Sequence, residues 1–394
     1  MSSVIKYLLI FCVVLTTVCS NAQIRLSEKS EVSLLTMGPG ITLNDSFGHS
    51  AFRIYDVEQN IDIIFDYGRY NFNKDGFYLN FVKGKLDYEI DWSYYRSYIE
   101  YYKNQGRSIH EQTLNLSLKE KQDLLNKLQE NIKPANKNYL YDFFYNNCST
   151  KIKDDLFYIT KNNISFPEED DNINLLTFRE LIRSHVPENS WGGFGIDLAL
   201  GSVIDIKATI EEHTFLPIYL QKILDGSKLK LSSKKLVKKS ITLNTNKKKQ
   251  KSIFLITPLF ILGLFSILII ITTYNDWKLN KRKLYIDCLI FFATGTIGIL
   301  ILFLWFLTDH TATAFNYNFL WAFAFNILFI PTVLRPKLKK KFISYLKFLI
   351  ILIFLAIVHW TTDVQSFNYC LIPIFIALAI RYSFLIYFSK KNNF

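Results

Sequence analysis

The sequence predicts two folds in one chain, an α+β exported domain followed by an all-α domain of five membrane-spanning helices. Three observations predict this. A secretory leader opens the chain, period-two and then helical patterns fill about 200 residues behind it, and five long apolar stretches crowd the last 140.

Residues 1–22 read as the leader. Lys6 precedes the apolar run 7–15, and Ser20-Asn21-Ala22 puts small residues at the minus-three and minus-one positions of a cleavage site. Val18 is larger than a lipid-attachment signal prefers, so Cys12 and Cys19 are read as leaving with the leader.

Residues 23–226 form the exported domain, long enough to bury a core of their own. They hold 22 Lys/Arg against 30 Asp/Glu, although the whole chain carries a formal charge of +12. An acidic domain of this kind excludes a nucleic-acid binder. Segments 32–37, 50–55, 61–67 and 86–90 alternate like strands. Helices follow. Ser117-Leu118-Lys119-Glu120 is a capping box ahead of Leu124, Leu125, Leu128 and Ile132, and Thr177-Phe178-Arg179-Glu180 opens a second helix likewise. A third covers 151–160, capped by Asn146 or Asn147.

Cys148 stands at the start of that third helix. It is the one cysteine left once the leader and the membrane segments are set aside. In an oxidising compartment an unpaired thiol is either buried and inert or reactive. The first turn of a helix favours thiolate, through the dipole and unpaired N–H groups. Those same N–H groups are the expected oxyanion donors. The domain offers His49, His110, His185 and His213 as bases, and His49 follows a glycine at the mouth of a strand. Metal binding is not expected, because no paired short-range ligands accompany Cys148. No Gly-x-Ser-x-Gly elbow occurs, and Gly38-Pro39-Gly40 lacks the Lys-Ser/Thr of a phosphate loop.

Residues 227–252 read as a lysine-rich linker, with ten lysines between 228 and 251. It is either a solvated tether or a contact to anionic headgroups. The membrane domain, 253–394, carries helices at 253–274, 284–307, 315–334, 342–360 and 367–388. The loops 275–283 and 335–341 hold four and five Lys/Arg, while 308–314 and 361–366 hold none. The positive-inside rule puts the basic loops and the tail in the cytoplasm and the N-terminal domain outside. Lys347 and Arg381 are expected to snorkel.

Several motifs then carry a resemblance. Ser33-Leu34-Leu35-Thr36-Met37-Gly38-Pro39-Gly40, Ser46-Phe47-Gly48-His49-Ser50-Ala51 and Tyr141-Asp142-Phe143-Phe144-Tyr145-Asn146-Asn147-Cys148 resemble the Lnb-type bacterial lipoprotein N-acyltransferase family. So do Phe194-Gly195-Ile196-Asp197-Leu198 and Phe215-Leu216-Pro217. The order of His strand before Cys helix is also similar to permuted papain-like, NlpC-type folds. The resemblance implies a Cys148–His49 pair that moves an acyl chain from a phospholipid donor to the α-amino group of a diacylated lipoprotein, at the periplasmic face of the bacterial inner membrane, without a cofactor.

A third group should orient the imidazole, and the strand 61–67 offers Asp66 or Asp62. Asn147 adjoins the thiol. Asp309, His310, Asn316 and Asn318 cluster at the outer ends of the second and third spans, where polar groups are costly in lipid. All five are candidate substrate contacts. The competing readings are a membrane-anchored cell-wall amidase or peptidase and a scaffold without catalysis.

Overall fold

Alternation in β1 (Glu31–Met37) sends Val32 and Leu34 to one face of a sheet and Leu35 and Met37 to the other. Both faces are therefore covered. A computed structural model describes residues 24–70, 75–168, 175–245 and 253–393, so the leader lies outside the described residues. β2 (His49–Asp56), β3 (Ile61–Arg69), β4 (Asp87–Tyr94), β5 (Ile109–Leu114) and β6 (Asn138–Leu140) join β1. β7 (Ile164–Ser165) and β8 (Lys228–Leu229) make a separate ribbon. With β9 (Val237–Asn244), the main sheet runs β6-β4-β3-β2-β1-β5-β9, every neighbouring pair antiparallel.

The helices Leu118–Asn131, Cys148–Ile159 and Pro217–Gly226 cover one face, packing Leu124, Leu128, Ile152, Leu156 and Leu220 against Leu34, Phe52 and Phe65. Each such side chain contributes about 1.5–3 kcal/mol. The helix Tyr95–Asn104 covers the other face with Tyr98, Ile99 and Tyr102. Two of these helices, and a further one at Phe178–Arg183, begin where local chemistry says they should. Ser117, Asn147 and Thr177 each complete a capping box.

The linker reading is corrected. β9 pairs with β5 from Val237 to Asn244, so the exported domain continues past residue 226. Lys238 and Lys239 sit on this exposed edge strand, where charge discourages further pairing, and that composition disguised a strand as a tether.

Among the described residues four helices are long and apolar enough to cross a membrane: Pro258–Lys278, Leu284–Phe306, Lys340–Thr361 and Tyr369–Asn392. The expected continuous helix over 315–334 is not formed. That segment consists of 3₁₀ turns Tyr317–Leu320 and Ala324–Phe329 and one α turn, Ile330–Val333. The cause is close backbone contact. A Cβ at Gly298 would lie 2.1 Å from the Ala322 carbonyl oxygen, and one at Gly295 would lie 2.6 Å from the Ile327 nitrogen. Non-α backbone at membrane depth survives where protein buries it. Here Asn326 donates to Thr294 Oγ1 (2.8 Å) and accepts from Tyr345 (2.6 Å), and the indole N–H of Trp321 donates to Asn318 (2.9 Å). The segment still runs from one end of the bundle to the other. Asn316 donates to the Leu198 carbonyl of the exported domain, while Val333 accepts from Arg282 beside the first basic loop.

Arg381 does not snorkel either. It is fully buried, bonding Asp287 through Nε (2.7 Å) and Asp276 through Nη1 (2.8 Å), with Arg282 completing the cluster on Asp287 (2.7 Å). Two carboxylates within reach hold the guanidinium inside the bundle. Lys347 stays exposed.

Candidate active site

Cys148 is the first residue of its helix because Asn147 has extended backbone and closes a reciprocal cap. Asn147 Oδ1 accepts from the N–H groups of Ser149 (2.8 Å) and Thr150 (3.0 Å), and its own N–H donates to Thr150 Oγ1 (2.8 Å). Its amide nitrogen donates to the carbonyls of Phe143 (2.7 Å) and Phe215 (2.8 Å). Every polar atom of that side chain is thus committed to holding the helix start in place. The structure gives Asn147 a positioning task rather than a free hand for substrate. It also revises the expected oxyanion donors, since the Ser149 and Thr150 N–H groups are already satisfied.

His49 opens β2 behind Gly48, whose φ of +83° favours glycine. A Cβ on Gly48 would stand 2.7 Å from the Met37 carbonyl oxygen. Opposite His49 is Gly68 (φ +90°), the bulge residue of β3 between the paired positions Tyr67 and Arg69. A methyl group there would sit 3.6 Å from Cys148 Cβ, 3.8 Å from His49 Cε1 and 3.9 Å from the Tyr139 hydroxyl. Thiol, imidazole and phenol therefore converge on one small space. Two residues back along β3, Asp66 receives one hydrogen bond from His49 Nε2 and a second from Arg69 Nε (3.2 Å). Asp62 is spent elsewhere, paired with Arg53 at 2.7 and 2.9 Å.

The electrostatics follow from this packing. Burial pushes the Cys148 thiol up, but the charge and hydrogen bond of His49, with the Ser50 backbone N–H, bring it below the ordinary cysteine value. Burial pulls His49 down, yet Tyr102, Asp66 and Cys148 raise it well above the ordinary histidine value. Asp66, raised by burial, is held low by His49 and then Arg69. Both shifts favour a thiolate beside an imidazolium, backed by a carboxylate. Burial and then Cys148 push the Tyr139 hydroxyl far up, so it stays protonated, and among the described residues it has no hydrogen-bond partner. Sequence reasoning missed Tyr139 as a site residue. Its only signal was membership of the aromatic run before Cys148.

The other histidines are placed apart from the thiol. His110 lies on β5 against Thr242, His185 bonds Ser184 and the Leu181 carbonyl, and His213 is fully buried on the Thr209 carbonyl. Among the described residues no group of three or more His, Cys, Asp or Glu side chains is set to hold a metal ion.

Comparison with known families agrees with the two-part architecture. A family model for the Lnb N-terminal periplasmic domain matches residues 19–184, and one for the Lnb transmembrane domain matches residues 248–393. The chain belongs to the Lnb family. It is a membrane protein with a periplasmic domain. No curated protein and no solved structure matches it.

In this Lnb-family chain the triad lies in a cavity of about 1210 Å³ shared by both domains. Cys148, His49 and Asp66 line it with Tyr70, Phe81, Tyr88, Tyr141 and Phe143 from the periplasmic domain and with residues 309–313 from the membrane domain. Asp309 and His310 thus reach the cavity. The Asp309 N–H donates to the Lys83 carbonyl (2.8 Å), and His310 Nε2 lies 3.1 Å from the Phe81 carbonyl. Asn316 and Asn318 do not reach it. Both are buried and bond the carbonyls of Asp197, Leu198 and Ala199, which fastens one domain to the other.

Proposed function

We propose that the protein is a thiol-dependent lipoprotein N-acyltransferase that carries an acyl chain from a phospholipid to the α-amino group of a diacylglyceryl cysteine. The observation that carries this reading is the shared cavity. The buried Cys148–His49–Asp66 triad opens into a space larger than the ~300–1,000 Å³ of drug-sized sites, walled by aromatic rings and closed by a membrane-domain loop. A hydrolase of soluble polymer has no use for such a wall.

Cys148 Sγ attacks the ester carbonyl carbon of the donor. The tetrahedral oxyanion is met by the Tyr139 hydroxyl, which has no partner among the described residues, and by the Cys148 N–H. Collapse breaks the ester C–O bond, and the leaving alkoxide takes the proton from His49. A lyso-phospholipid departs and a thioester remains on Cys148. The lipoprotein amine then attacks that thioester, His49 accepts the amine proton, and the C–S bond breaks to release the amide and restore the thiolate. Asp66 keeps the imidazole oriented through both halves. The periplasmic domain stands on the outer face of the inner membrane, with the basic loops and C-terminus in the cytoplasm.

The test is mass spectrometry of a lipoprotein N-terminus in a host lacking its own N-acyltransferase. The wild-type chain should restore the third acyl group. Cys148→Ala and His49→Ala should not, while still inserting. Triacylation by the Cys148→Ala variant would refute the reading, and cleavage of peptidoglycan by the wild type would replace it with a wall hydrolase.

A further inference from the structure

The short helix Phe77–Val82 between β3 and β4 buries none of its residues. Tyr78 is 70%, Leu79 58%, Phe81 49% and Val82 46% exposed, four large apolar side chains in a single six-residue helix. In water this arrangement is costly, and a helix apolar on its outer faces calls for an apolar surround. Lys83 and Lys85 follow it and are exposed. Aromatic and aliphatic side chains flanked by lysine are the composition of a segment lying in a membrane interface.

Its position supplies the second observation. Gly84, with φ +78°, lets the chain turn so tightly onto the membrane domain that a Cβ there would be 2.6 Å from the His310 nitrogen. The bonds from Asp309 N–H to the Lys83 carbonyl and between His310 Nε2 and the Phe81 carbonyl pin the helix to the loop that follows the second span. That loop is at bilayer-surface level. Trp191, 51% exposed, marks the same level elsewhere by donating its indole N–H to the Ile256 carbonyl just before the first span (2.8 Å). Phe81, Gly84 and Leu86 also line the Cys148 cavity.

We infer that Phe77–Val82 lies in the outer leaflet of the bilayer and forms the edge of a lateral portal through which a lipid passes from the membrane to Cys148. The placement in the leaflet stands on its own, and the portal rests on the acyl-transfer reading. Acyl chains slide along Tyr78, Leu79 and Phe81, and Lys83 faces the headgroup phosphates beside Lys85, which pairs with Asp309 (3.9 Å). The donor thus reaches the sulfur without leaving its leaflet.

Two measurements on the full-length protein in vesicles of phosphatidylethanolamine and phosphatidylglycerol test this. A nitroxide is placed by Tyr78→Cys or Leu79→Cys in a background with the five native cysteines replaced. Its accessibility to oxygen and to a water-soluble nickel chelate is compared with Leu268→Cys in the first span and Tyr158→Cys on the far periplasmic surface. Labels at 78 and 79 should resemble position 268, whereas the behaviour of position 158 would overturn the placement. No catalysis is needed for that result. Acylation of Cys148 is then followed by intact mass, from vesicle phospholipid and from p-nitrophenyl butyrate. Leu79→Asp should slow acylation by phospholipid roughly tenfold or more, the order expected for one large apolar side chain, and leave the soluble ester within twofold. An equal loss on both donors, or none on phospholipid, would overturn the portal. A wild type that takes acyl from neither donor would remove the transferase reading and the portal with it, while the nitroxide depth would stand.

Discussion

Replacing Asp66 with asparagine keeps the shape of the His49 partner and removes its charge. Both side chains are largely enclosed, at 18% exposure for His49 and 7% for Asp66, so solvent does little to replace the lost interaction. Removing one member of a buried, hydrogen-bonded charge pair costs about 3–5 kcal/mol, which is roughly 10²- to 10³-fold or more in rate if the loss falls on the transition state. Two effects move together. Without the carboxylate, one of the groups that raise His49 is gone and its pKa falls. The Asp66 charge also raises the thiol, so its loss moves the Cys148 pKa down as well. Thiolate and imidazolium coexist only between these two values, so the active window shifts to lower pH. Both limbs of the acylation rate move to lower pH. The assay is the pre-steady-state acylation of Cys148 by a soluble ester, followed by intact mass across pH. An unchanged plateau rate with unchanged limbs would show that Asp66 does not orient or charge the imidazole.

The bundle gives two further expectations. Gly298→Ala drives a methyl group into the Ala322 carbonyl and the Ala324 nitrogen at 2.1 and 2.5 Å. Overpacking of this kind costs about 1–3 kcal/mol, so the melting temperature in detergent should drop, whereas Gly263→Ala, with nothing within 4 Å, should leave it unchanged. Arg381→Ala leaves Asp276 and part of Asp287 unpaired inside the bundle, a loss of about 3–5 kcal/mol. That variant should melt early or fail to accumulate, while Lys347→Ala behaves as wild type.

What could be read in the sequence was what depends on near neighbours. Capping is local, so Asn147 and the start of the Cys148 helix were legible, as were the four strands from 31 to 94. Asp66 and Asp62 were not separable, because residues four apart on a strand share a face. Register separates them. Tyr55 stands opposite Asp62, while Phe52 opposite Phe65 carries His49 towards Gly68 and so within reach of Asp66. Pairing partners far along the chain carry no local mark, which is also why β5 and the lysine-coated β9 were missed. The third membrane segment misled for a different reason. Its hydropathy reports burial, and burial by protein permits 3₁₀ turns that burial by lipid forbids.

Two of the sequence motifs act away from the sulfur. Phe215 supplies the carbonyl that anchors Asn147, and Pro217 packs 3.5 Å from the position a Gly48 side chain would take, so Phe215-Leu216-Pro217 braces both the thiol helix and the histidine turn. Asp197, only 2% exposed, receives Arg179 (3.0 Å), Arg183 (3.3 Å) and Asn368 (2.9 Å), while its carbonyl accepts from Asn318 (3.2 Å). Arg183 also reaches Ser366 at 2.8 Å. A single buried carboxylate thus joins the periplasmic domain to the loops preceding the third segment and the last helix. That joint fixes the height of the cavity above the bundle. On the acyl-transfer reading the nucleophile is needed at a set depth, because the ester and amine groups of two lipids are confined to the interface. The buried ion network far from Cys148 is therefore as much a part of site geometry as the histidine beside it.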